Sequence, residues 1–310
     1  MIELKIAIPT YNRPEHIKRQ VCDLLPQLRE GVSLIVYDNC SDIPVASYFT
    51  QEELSQFTLV RNKFNIGGAA NIGKCLTENG DSGWIWLLGD DDRIIDNAVD
   101  VILNTIQSHQ DCCYINFQQK KTEETKCFLD FLNYMKIIGA FGISFFQSAC
   151  LFNMDKLRPY VMYYYEFLTL WVGQVALVIK YLSDNPHEHC FFTTTRIITE
   201  CTPGGWEKSD FIIRFPIMID LFQNQKYIMK PTLFKGLGDM YFTILSQEKW
   251  GVRRQLYFIN YISSKLGWVN IFRYNKVTFI EYLLAKLCPN GIYKFIRKRY
   301  ANSYNNSLKK

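Results

Sequence analysis

The sequence predicts an α/β fold with a mainly parallel central sheet and flanking helices. Two observations carry that expectation. Short apolar runs alternate with stretches of helical periodicity through the first third of the chain. Three of those runs also end in polar clusters, at residues 10–13, 38–42 and 90–92. In a parallel sheet such clusters line up along one edge, where ligands bind at the carboxyl ends of the strands.

Each element has its own warrant. Residues 4–10 (LKIAIPT) read as a first strand that Pro9 brings to a stop, and Pro14 suits the first turn of a helix. Ile17, Val21, Leu24, Leu25 and Leu28 then recur at helical spacing. Residues 32–37 and 57–60 are a second and third strand. The glycines of 65–68 (NIGG) lead into a helix over 69–76. Residues 84–88 form a fourth strand, followed by a helix carrying Ile95, Val99, Ile102 and Ile106 on one side, and then a strand over 112–117. No Gly-x-Gly-x-x-Gly follows the first strand and no Gly-x-x-x-x-Gly-Lys occurs, which excludes the two commonest nucleotide loops.

The stretch WIWLLGDDDR (84–93) organises the rest. Three adjacent carboxylates at a buried strand end repel one another unless positive charge sits among them. A hard divalent cation, Mn²⁺ or Mg²⁺, suits oxygen ligands and needs only one or two carboxylates when phosphate completes its shell. The bland alternative is a solvated acidic turn before a helix. The other clusters have matching readings. Tyr11 offers a ring for a base to stack on, and Asp38 is an acceptor for a base N–H. Arg13 suits phosphate, and the backbone around Gly67 allows close approach to a sugar or phosphate. Against these stand a packed Tyr11, an Asx turn at Asp38 and a tight bend at Gly67.

Composition sets the outer limits. With 48% hydrophobic and 15% aromatic residues the chain is globular. It has no apolar run long enough to span a bilayer and no signal-peptide organisation. Ten cysteines without a Cys-x-x-Cys pair fit a reduced, cytoplasmic setting better than zinc or a disulfide framework. From Lys249 onward thirteen Lys and Arg face the single acid Glu281, a net of +12, so the chain's +5 leaves −7 on the first 248 residues. Cations among bulky apolar residues over 249–310 are expected of helices lying against an anionic membrane, or of a bundle with a solvated basic face. No recognised nucleic-acid motif accompanies them.

Four motifs together resemble the nucleotide-binding half of family 2 glycosyltransferases with the GT-A (Rossmann-like) fold. They are IPTYNR (8–13), VYDNCSD (36–42), RNKFNIG (61–67) with Asn71, and LLGDDD (87–92). The match covers roughly residues 3–100 and points towards bacterial enzymes of capsule, lipooligosaccharide or O-antigen assembly. The resemblance implies a nucleotide-diphosphate sugar donor, UDP-linked by preference. Its donor-binding residues would be Pro9, Thr10, Tyr11, Asn12, Arg13, Asp38, Asn39, Asn65, Gly67, Asn71 and Asp90. Asp91, with Asp90 and Asp92, would stand in for the metal motif, although Gly89 occupies the place of its usual first acid. The family chemistry is inverting, with a carboxylate base on the acceptor side. No Glu-Asp pair stands at the expected distance. Glu166, which is expected to head a helical pattern over 167–182, is the first candidate, with Glu188 and Glu200 behind it. Trp206 is a candidate platform for an acceptor sugar.

The expected organisation is a catalytic domain over 1–225, with a donor half to about 118 and an acceptor half over 119–225. A helical basic region, 226–310, follows. The acceptor is expected to be a glycan or lipid-linked glycan at the cytoplasmic face of the inner membrane. Rival readings are a nucleotidyltransferase of sugar phosphates and a non-catalytic, membrane-bound carbohydrate-binding scaffold. The sequence leaves the oligomeric state open.

Overall fold

In the computed structural model the described residues are 2–79, 83–138, 146–168 and 173–200, together with 257, 260, 261, 264, 267 and 269. The chain divides into two compact units, Met1–Tyr134 with Gly142–Gly205, and Met135–Phe141 with Trp206–Lys310. The sheet and the strand-end clusters belong to the first. Trp206 and nearly all of 226–310 lie outside the described residues, as do the residues that directly follow Glu200. Among the described residues no helix is long and apolar enough to cross a membrane.

The strands are β1 (Leu4–Thr10), β2 (Val32–Asp38), β3 (Thr58–Arg61), β4 (Trp84–Leu87), β5 (Arg93–Ile94), β6 (Cys112–Asn116), β7 (Glu123–Thr125), β8 (Cys150–Asn153), β9 (His189–Phe192) and β10 (Ile198–Glu200). Eight form one sheet in the order β3-β2-β1-β4-β8-β6-β9-β7, and β5 pairs with β10 in a separate two-stranded sheet. β3, β2, β1 and β4 are parallel, as are β6 and β9. Only β8, inserted between β4 and β6, and the edge strand β7 run the other way. The mainly parallel expectation therefore holds, with a reversed strand the sequence pattern did not reveal.

The helices follow from amphipathic spacing. α1 (Pro14–Leu24) buries Ile17, Val21 and Leu24, and α4 (Ala98–Ser108) buries Val99, Ile102 and Ile106. Both stripes join the cluster of Leu4, Ile6, Ile8, Val36 and Trp86 on one side of the sheet. The remaining longer helices are α3 (Gly68–Asn79), α5 (Phe128–Ile138) and α8 (Gly173–Asp184), with short turns of helix at α2 (Gln51–Leu54), α6 (Met154–Leu157) and α7 (Val161–Glu166).

β1 has the expected bounds, Leu4–Thr10, with Pro9 inside it. The Ala7 carbonyl accepts from Leu88 N–H at 3.0 Å, so alternate residues of β1 aim at β4. The donor that Pro9 lacks falls on that side, where β4 has already ended opposite Ala7.

Candidate nucleotide and acidic site

The expected clusters at the ends of β1, β2 and β4 meet, and the loop after β3 joins them. At the β1–β4 seam, Thr10 Oγ1 donates to Asp90 Oδ2 at 2.7 Å. Arg13 Nη1 reaches Asp90 Oδ1 at 2.9 Å and Asp91 Oδ2 at 2.8 Å. At the β1–β2 seam, Asn12 and Asp42 pair reciprocally: Asn12 Nδ2 donates to Asp42 Oδ2 at 3.0 Å, and Asp42 N–H to Asn12 Oδ1 at 2.8 Å. Asn12 holds a left-handed φ of 52°, which its short polar side chain tolerates through such local bonding.

The β2–β3 seam is a buried amide network. Asn39 Oδ1 accepts from Asn62 Nδ2 at 3.0 Å and from Ile66 N–H at 3.0 Å, while its Nδ2 donates to Asn65 Oδ1 at 2.8 Å. Asn71 Nδ2 donates to the Tyr37 carbonyl at 2.9 Å, its Oδ1 accepts from Asn62 Nδ2 at 2.9 Å, and Lys74 Nζ closes the set on Asn62 Oδ1 at 2.7 Å. A network satisfied in this way fixes loop geometry. Asn39 and Asn71 thus face neighbouring loops in this structure. Gly67 has φ +86°, a conformation only glycine adopts without strain, and its N–H donates to Asn65 Oδ1.

Asp38 is fully buried, and both of its carboxylate oxygens are engaged within the protein. Its Oδ1 accepts from Ser41 N–H at 2.8 Å, and its Oδ2 meets Arg61 Nη1 and, at 3.4 Å, Val45 N–H. Arg61 also donates to the Ser41 carbonyl at 2.7 Å. Arg61, from the RNKFNIG motif, is thus the side-chain partner of Asp38, a pairing that its sequence position alone does not reveal. Tyr11, by contrast, is 40% exposed, and Phe64 in the loop after β3 is 67% exposed.

The three aspartates differ. Asp90 is buried, which pushes its pKa above the ordinary range against the opposing pull of Thr10 and Arg13. Burial also raises Asp92, to about 6, only partly offset by the Ser148 hydroxyl that donates to its Oδ2. Burial works against the charge of Arg13, but Asp90 and Asp91 outweigh it and its pKa rises. Asp91 has the most accessible side chain of the two that Arg13 holds, 19% against 6% for Asp90. Ser148 also accepts from Gly89 N–H at 2.9 Å, a role for which the sequence offered no signal.

Residues 5–157 match the family described as Glycosyl transferase family 2. That stretch is a family 2 glycosyltransferase domain. An uncharacterized glycosyltransferase of Haemophilus influenzae is 29% identical over 114 residues, 36% of this chain and 37% of the relative, so the match spans little more than a third of that protein. In fold, the chain is similar to S. aureus TarS 1-349, with a TM-score of 0.63 at 13% identity over 97% of this chain and 92% of that one. TarS 1-349 in complex with UDP-GlcNAc superposes at 0.62 with the same coverage. The architecture is accordingly that of the GT-A fold.

Local packing accounts for a glycine at position 89. A Cβ there would lie 2.7 Å from Asp92 Oδ2 and 3.3 Å from Ser148 Oγ, so the packing of Asp92 leaves no room for an acid at 89. The donor set suits a hard divalent cation: carboxylate oxygens of Asp90 and Asp91 already converge on one positively charged nitrogen of Arg13.

The candidate bases separate clearly. Glu166 does not head a helix; it is the exposed last residue of α7, at the negative end of that helix rather than the positive one. Gly173, which opens α8, permits the close packing that separates the two helices, since a Cβ there would meet the Tyr164 carbonyl at 2.6 Å. Glu188 is held by Lys156 at 2.6 Å, next to the start of β9 and so at the opposite edge of the sheet from Asp90. Glu200 lies opposite Arg93 in the β10–β5 pair, which brings its backbone beside the acidic loop.

Proposed function

We propose that the protein is an inverting glycosyltransferase that moves a sugar from a nucleotide-diphosphate sugar, UDP-linked by preference, to a glycan or lipid-linked glycan. The observation that carries this reading is the convergence of Thr10 and Arg13 from β1 with Asp90 and Asp91 from β4 in a family 2 domain. TarS 1-349, similar in fold, has been crystallised with UDP-GlcNAc, which supports the donor class.

In this reading Tyr11 stacks on the base, and Asp38 acts by fixing the loop after β2 rather than by touching the base. Asp91 with Asp90 would hold a divalent cation, which when bound would neutralise charge on the diphosphate. Arg13 transfers its interaction from the carboxylates to phosphate oxygens. The acceptor hydroxyl attacks the anomeric carbon as the bond to the diphosphate oxygen breaks, and a carboxylate takes the hydroxyl proton. Glu200 is the proposed base, a reading supported by the pairing of β10 with β5 next to the acidic loop. The catalytic domain extends over 1–225. The basic stretch 249–310 meets the anionic cytoplasmic face of the membrane, where a lipid-linked acceptor of cell-surface polysaccharide synthesis would lie.

The test is hydrolysis of a panel of nucleotide sugars by the full chain with and without Mn²⁺. Release of nucleoside diphosphate that requires the cation, and that Asp91→Ala lowers by at least about 100-fold, is the expected result. Equal turnover in that variant, or release of pyrophosphate, would overturn the proposal.

A further inference from the structure

The opposite edge of the sheet carries a second cluster of ligand-type side chains, unrelated to the donor site. Asp111 precedes β6, Glu124 lies on the edge strand β7, and His189 opens β9. His189 Nδ1 lies 3.1 Å from Asp111 Oδ2 and 3.3 Å from Glu124 Oε1, and the three ligand atoms lie within 4.8 Å of one another. That nitrogen is buried and makes no hydrogen bond in the structure. Glu124 is shared: its other oxygen stands 3.4 Å from Nδ1 of His109, whose ring is held in place by stacking on Phe191 at 3.6 Å.

We propose that His189, Glu124 and Asp111 form a binding site for a divalent transition ion of the Zn²⁺ class. His189 Nδ1 is buried without a hydrogen bond between two carboxylates, and a cation at the centre would be attracted by both acids while giving that nitrogen a partner. One nitrogen and two carboxylate oxygens form a ligand set of borderline softness, matching zinc better than magnesium or calcium. Zinc–ligand distances of about 2.0–2.2 Å place neighbouring ligand atoms roughly 3.0–3.6 Å apart, the separations His189 already shows. Asp111 is two-thirds exposed and has room to complete the set from the solvent side. The ion ties the loop before β6 to β9 and to the short edge strand β7, so its consequence is mechanical: it fastens the sheet's outermost strand.

The experiment uses the full chain, stripped with chelator, in an Asp91→Ala background that weakens the donor site. Zinc binding is measured by calorimetry and thermal shift, and Co²⁺ absorption reports the ligand type. Adding Glu124→Gln or Asp111→Asn should remove one equivalent of zinc or weaken it by about 10-fold or more, and abolish the thermal shift. The Asp111 variant changes an exposed loop residue, so a folding defect would not imitate the result. Unchanged stoichiometry and thermal shift in both variants, or thiolate-to-cobalt charge-transfer bands assigning the ion to cysteines, would overturn the proposal. So would an absence of binding, which would leave His189 as a protonated ion-pair partner only.

Discussion

Gly89→Ala tests the packing of the acidic loop. The φ of Gly89 lies outside the left-handed region, so alanine is permitted by the backbone and alone would stabilise by about 0.4–1 kcal/mol through the unfolded chain. The added Cβ, however, would sit 2.7 Å from Asp92 Oδ2, 3.2 Å from Asp91 Oδ1 and 3.3 Å from Ser148 Oγ. Asp92 cannot retreat without leaving the Ser148 hydroxyl, and overpacking of this kind costs about 1–3 kcal/mol. The net expectation is a loss of about 1–2 kcal/mol, read as a lower urea midpoint at unchanged m-value. Asp92→Ala removes the nearest colliding atom, so the double variant should recover about 1 kcal/mol relative to additivity. Gly89→Asp, although it supplies the acid usual at that place, should lower donor hydrolysis because it displaces Asp91 and Asp92. A Gly89→Ala protein as stable as the parent, or a penalty that persists unchanged beside Asp92→Ala, would refute the packing argument.

Two further expectations concern buried carboxylates. Asp92 keeps its proton to about pH 6 in the fold, against an ordinary value of 3.8, because burial disfavours its charge. The folded protein therefore binds more protons than the unfolded chain in that interval. The stability this group contributes is complete below about pH 4, falls as pH rises to about 6 and stays lost above it. Asp92→Asn should not show that fall, so its stability relative to the parent should rise across the interval when urea midpoints are compared; a constant difference would contradict the assignment. Arg61→Ala strands the fully buried Asp38 carboxylate with only backbone donors and should cost about 2–4 kcal/mol. Adding Asp38→Asn should return part of that loss; a single variant within about 0.5 kcal/mol of the parent would show that the pair does not matter.

Strands β1, β2 and β4 were legible because a buried parallel strand is largely apolar and ends where polar backbone and side chains take over, as near Asp38 and Asp90. The convergence of the strand-end clusters was legible for the same reason: Thr10, Asp42 and Asp90 lie at or beyond those endings and meet across the strand seams. Legibility failed where the deciding partner lies far away in sequence. Nothing local in Cys150–Asn153 states that it runs against β4, and β5 and β10 are too short to show alternation. Asp38 could be recognised as a strand-end acid, but its orientation depends on Arg61, twenty-three residues later. Asp92 depends likewise on Ser148, fifty-six residues away.

Those distant partners also divide the work within the site. Asp38 and Asp92 are occupied by Arg61 and Ser148, and the asparagines after β2 and β3 are bonded to one another, so four loops are already fixed relative to the sheet. A preorganised polar frame of this kind pays its reorganisation cost during folding rather than at the moment of reaction. The contrast is Arg13, half-exposed and placed across Asp90 and Asp91 at the mouth of the same frame. Its side chain is partly solvated where the buried groups are enclosed, so the contacts that fix the loops sit in the buried pairs, and under the proposed function an arriving diphosphate would meet Arg13 and Asp91 first.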